Sequence, residues 1–140
     1  MFLNHFLSNA NWLAIIVAGL AYFAVGAIWY QQAVFGKAWA EGHNLSIDPE
    51  KAKKQMPMLM TITGVLTIVI AVLVGFLVSA LYSQTVMSGI KVGLFSGAII
   101  TCCMGINYTY TSKSFKLLCI DAGYHVLGTI VCGIIISIWH

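Results

Sequence analysis

The sequence predicts an all-α membrane protein: four transmembrane helices in two antiparallel hairpins. Three observations carry this. Hydrophobic residues make up 60% of the chain and charged residues 8%, with a mean hydropathy of +0.91, which leaves too little charge to cover a soluble domain. The charges are also segregated: Asp, Glu, Lys and Arg are absent before Lys37, between Lys54 and Lys91, and between Lys91 and Lys113. Each gap holds one helix of about 20 residues, the length that crosses roughly 30 Å of hydrocarbon. Finally, every predicted span carries a stripe of small or polar residues at intervals of four, the spacing of one helix face.

Residues 1–9 put Phe2, Leu3, Phe6 and Leu7 on one side and Asn4, His5, Ser8 and Asn9 on the other, the pattern of a short interfacial turn. No basic region precedes the first apolar run and no cleavage site ends it, so the first helix is expected to be retained. It is predicted over residues 11–32, with Trp12 at one headgroup level and Trp29 and Tyr30 at the other. Ala10, Ala14, Ala18, Tyr22, Gly26 and Tyr30 form its stripe. In the connection that follows, Phe35, Gly36, Lys37, Ala38 and Trp39 make an amphipathic start, and residues 42–46 form the expected break. Asp48, Pro49 and Glu50 then read as an N-cap, an N1 proline and a first-turn acid. The second helix should therefore begin outside the bilayer at residue 49 and span it over 58–81, kinked at Pro57 where a backbone donor is missing.

Residues 83–88 form a short turn into a third helix over 89–110. There Gly89, Gly93, Gly97, Thr101 and Gly105 give a doubled GxxxG pattern, the clearest packing signal in the chain. The fourth helix is predicted over 117–139, and its stripe is Asp121, His125, Thr129, Gly133 and Ser137. The whole chain, residues 1–140, is expected to form one integral membrane domain. Lysine placement orients it. Lys37, Lys51, Lys53, Lys54, Lys113 and Lys116 lie on one side and Lys91 alone on the other, so both termini are expected outside the cell and the long connection inside.

Asp121 is the residue that needs explaining, because an ionised Asp in the bilayer centre costs about 2.5 to 3.5 kcal/mol. At 1.5 Å per residue from Lys116, Asp121 lies roughly 7 Å and His125 roughly 13 Å below the inner edge. The ends of the first and third helices bring Trp29, Tyr30, Asn107, Tyr108 and Tyr110 to that depth, so a polar layer is expected in the inner half. Asp121 and His125 fit a proton-accepting or cation-binding pair, oriented by Asn107 and the tyrosine hydroxyls. The same residues equally fit a fastening role, in which Asp121 accepts hydrogen bonds from neighbouring helices. For Trp29, Tyr30, Tyr108 and Tyr110, an interfacial aromatic belt is the simpler account.

Other chemistries lack support. No third and fourth ligand accompanies Asp121 and His125, and Cys102, Cys103, Cys119 and Cys132 fall within spans without zinc spacing, so no metal, cofactor or disulfide framework is expected. No nucleophile elbow accompanies the serines, which argues against an enzyme. The lysines form no stripe suited to nucleic acid; lipid headgroups account for them. His43 reads as a solvated loop residue, and His5 and His140 as polar residues at the outer headgroups.

Asn11-Trp12-Leu13-Ala14, Gly26-Ala27-Ile28-Trp29-Tyr30, Phe35-Gly36-Lys37-Ala38-Trp39 and Asp121-Ala122-Gly123-Tyr124-His125 together resemble the domain of unknown function 1761 family of small bacterial and fungal membrane proteins. The resemblance covers nearly the whole chain and implies a multi-pass protein, here of a bacterial inner membrane, without implying an activity. The expected function is a binding or permeation module for a small solute, cation or proton, with a pocket of Trp29, Tyr30, Asn107, Tyr108, Asp121 and His125. The alternative is a structural or accessory subunit whose polar residues serve packing. Besides the lipid bilayer, a second copy is the expected partner, through the glycine stripe of the third helix.

Overall fold

A computed structural model describes residues 2–45 and 48–139, among which there are six α-helices and no strand. The expectations for the Phe2 side chain, Ser46 and His140 fall outside the described side chains and residues. Four helices are long and apolar enough to cross a membrane: α2 (Trp12–Trp29), α4 (Pro49–Ala80), α5 (Val86–Tyr110) and α6 (Phe115–Ile138). They form the two antiparallel hairpins expected, α2 with α4 and α5 with α6. Two shorter helices flank α2, namely α1 (Phe2–Asn9) and α3 (Lys37–Gly42).

Local signals set the helix ends. Asn11 caps α2, its Oδ1 accepting from the Ala14 N–H at 3.0 Å while its Nδ2 donates to the Trp139 carbonyl at 3.2 Å. Asp48 caps α4 through the Glu50 N–H at 3.1 Å. Thr85 and Ser88 exchange side-chain and backbone bonds in a capping box, so α5 starts at Val86 rather than three residues later. Ser114 caps α6 through the Leu117 N–H at 3.2 Å. Its 32 residues make α4 about 48 Å long, well beyond a hydrocarbon core of about 30 Å. The surplus carries the exposed Glu50, Lys51, Lys53 and Lys54.

The first span departs from expectation at its end. Rather than continuing to residue 32, α2 stops at Trp29, Gln31 turns extended, and the chain winds through a π-helical turn at Gln32–Gly36 before α3. Gly36 makes this winding possible: its N–H donates to the Gln31 carbonyl at 2.9 Å, and a Cβ there would run into the Tyr30 carbonyl oxygen. The turn sends α3 back over the bundle, where Gly42 packs on Leu117.

Half of the apolar window of α6 is buried, against 28% in each other span, so α6 is the central helix. Its glycine face meets that of α5 backbone to backbone. A Cβ on Gly89 would lie 2.5 Å from the Gly133 carbonyl oxygen, one on Gly93 2.5 Å from that of Thr129, and one on Gly97 2.7 Å from the Val126 Cα. Gly89, Gly93 and Gly97 of the stripe expected to meet a second copy are thus taken up inside the chain by the α5–α6 hairpin. The α2–α6 contact works differently, with aromatic rings laid over glycines. Tyr22 packs on Gly128, Tyr124 on Gly26 and Trp29 on Gly123.

Candidate functional site

The inward stripe of α6 is polar at four of its five positions, and each of those four side chains is bonded. Thr129 donates to the Gly93 carbonyl of α5 at 2.8 Å, and the Ser137 hydroxyl pairs with that of Ser83 at 2.9 Å. His125 Nδ1 shares a 2.6 Å hydrogen bond with the Tyr22 hydroxyl of α2. Asp121 is the most heavily engaged. Its Oδ1 accepts from the Tyr30 hydroxyl at 2.6 Å and its Oδ2 from the Tyr108 hydroxyl at 2.5 Å.

The two phenols reach Asp121 from opposite neighbours. Tyr30 caps the C-terminal end of α2, whereas Tyr108 sits in the last turns of α5. A carboxylate that loses water needs replacement donors on both oxygens, and this arrangement supplies one each, leaving Asp121 5% exposed. Trp29 secures the same junction through backbone, its Nε1–H donating to the Ile120 carbonyl at 3.0 Å.

A third group approaches from outside the spans. His43, at the end of α3, brings Nε2 to 3.6 Å from Asp121 Oδ2, too long for a hydrogen bond. That nitrogen is buried and has no hydrogen-bond partner among the described residues. Trp39 holds the imidazole from one side at a ring separation of 4.8 Å, and Tyr30 lies against Trp39 at 5.5 Å. The return of α3 therefore roofs the carboxylate with aromatic rings. His43 was expected in solvent. Its spacing of four from Trp39 marks it as facing the same way along α3, a signal that its place in a connection obscured.

Of the six residues expected in the pocket, Tyr30, Tyr108 and Asp121 meet directly and Trp29 borders them. His125 sits one turn deeper and pairs with Tyr22 instead of Asp121. Asn107 is exposed on α5, away from the cluster. Tyr22, fully buried, is the partner the sequence reading missed. It is the one large residue in the middle of the small stripe of α2, opposite a glycine on α6.

Chemically, the cluster holds a carboxylate, two phenols and one imidazole, that of His43. Asp121 lines neither of two cavities found among the described residues. One, of about 180 Å³, lies between Gly105, Tyr108, Lys113 and Leu118; the other is at the far end. The described residues contain no cluster of three His, Cys, Asp or Glu side chains that could hold a metal ion.

Neither a curated protein nor a solved structure matches the chain. The family described as "Protein of unknown function (DUF1761)" matches residues 13–137, and the chain, with its four membrane-spanning helices, belongs to it.

Proposed function

We propose that the protein is a structural or accessory membrane subunit in which Asp121 is the fastener of the lysine-rich end, tying the ends of α2 and α5 to the central helix. The observation that carries this reading is the double acceptance at Asp121: each carboxylate oxygen takes a phenol from a different helix. Tyr30, Tyr108 and Trp29 serve the junction, and the His125–Tyr22 bond repeats the device one turn deeper. Interhelical bonds within membranes average about 0.6 kcal/mol and reach about 1.7; bonds to a carboxylate belong at the upper end. The topology that goes with this reading has both termini outside a bacterial inner membrane and the lysine-rich connection inside.

One observation favours a second reading, a proton-binding element. The unbonded His43 Nε2 beside Asp121 gives a proton a place between an imidazole and a carboxylate. Reconstitution in liposomes loaded with a pH-sensitive dye separates the two. A fastener gives no proton flux after a pH jump, and Asp121→Asn lowers thermal stability without changing the dye trace. A proton element gives flux that Asp121→Asn and His43→Ala abolish. Impermeant thiol labelling of Lys51→Cys and Gln84→Cys in intact cells tests the topology, with Gln84→Cys alone expected to react.

A further inference from the structure

The far end of the bundle carries a feature unrelated to Asp121: a half-open cavity of about 300 Å³ lined by α1, the start of α2, the ends of α4 and α6, and the α4–α5 turn. It lies beneath α1, whose Phe6 is seated against Phe76 at 5.4 Å and against Trp12 at 6.0 Å. Phe6, Ile15, Val78 and Ile136 make an apolar floor. His5, Ser79 and Gln84 stand at the rim, and their side chains make no hydrogen bond to the described residues. The described lining includes no Asp, Glu, Lys or Arg; its titratable groups are His5 and Tyr82.

We infer that this cavity binds a small uncharged amphiphile, with a hydrocarbon body on the Phe6–Ile15–Val78–Ile136 floor and a hydroxyl or amide head at His5, Ser79 and Gln84. Size, polarity and charge each narrow the class. The volume sits at the lower bound for ligand pockets, about 300 Å³, and matches roughly ten water-sized groups, which is a chain of about eight carbons with its head. An apolar floor beneath free hydrogen-bonding side chains matches a molecule apolar at one end only. The lining offers no Asp, Glu, Lys or Arg to pair with a carboxylate or an ammonium, so its hydrogen-bonding side chains suit an uncharged head.

The test uses the full chain in nanodiscs and a photoreactive octanol carrying a diazirine, with adducts mapped by peptide mass spectrometry. The expected result is saturable labelling confined to peptides around Phe6, Ser79 and Trp139. Octanol should chase it at least tenfold more effectively than octanoate or octylammonium. Ser79→Leu, which fills the space, should remove the saturable fraction. Should that variant fail to fold, His5→Ala combined with Gln84→Ala, both at exposed positions, should weaken competition by octanol at least threefold. Labelling that does not saturate, adducts spread over the exposed Leu73 and Leu77, or equal chase by all three head groups would overturn the assignment.

Discussion

At the α1 end of the bundle, α5 and α6 touch backbone to backbone; at the lysine-rich end the same two helices are bridged by a tyrosine and a carboxylate. The change is graded along one hairpin. Added Cβ atoms at Gly89, Gly93 and Gly97 would strike backbone of α6 at 2.5, 2.5 and 2.7 Å, whereas at Gly105 the nearest atom is a Leu118 methyl at 3.8 Å. Close packing in lipid draws on dispersion and admits only short hydroxyl side chains such as Thr129 and Ser137; a looser junction admits larger polar side chains that must then satisfy one another. The two ends therefore respond differently to substitution. Added volume should destroy the first and lost hydrogen bonds should weaken the second.

The largest effect is expected from adding volume where backbones meet. Gly93→Leu drives a side chain into the Thr129 carbonyl and the Ile130 backbone, and should cost about 3 kcal/mol or more, read by denaturant unfolding in mild detergent. Next comes Asp121→Ala, which strands the hydroxyls of Tyr30 and Tyr108; a cost of about 2 to 3 kcal/mol is expected by the same measurement. Tyr108→Phe removes a single bond and should cost about 1 kcal/mol, with faster hydrogen exchange confined to the ends of α5 and α6. The smallest effect belongs to Asn107→Ala. Being exposed and outside the cluster, it should stay within about 0.5 kcal/mol of the parent; a loss as large as that of Tyr108→Phe would place its amide in the junction after all.

Much of this contrast was legible in the residues themselves. Charge-free stretches ending at lysines mark the first three spans, because a charge in hydrocarbon is costly wherever it falls. The inward orientation of Asp121 follows from the same cost. An i, i+4 run of glycines, in turn, announces a close approach without naming who approaches, so the stripe of α5 is read as a contact with a second copy although most of it meets α6. The fate of the first connection was hidden for a different reason. Tyr30 reads as a belt aromatic and Phe35 and Trp39 as an amphipathic start to the connection, and only the π-helical turn at Gln32–Gly36 reveals that the chain folds back and carries Trp39 and His43 to the carboxylate. Tyr22 was hidden by a similar ambiguity, since the same ring could have faced lipid had α6 lacked Gly128.

A double-mutant cycle on Tyr108 and Asp121 addresses the fastening of the lysine-rich end most directly. Unfolding free energies of the parent, Tyr108→Phe, Asp121→Ala and the double variant give the coupling between the two side chains, free of the effects each has alone. A coupling of about 1 kcal/mol or more is the expected result. Additive losses, with coupling indistinguishable from zero, would mean that the phenol and the carboxylate do not hold α5 to α6, and the role assigned to Asp121 would fall.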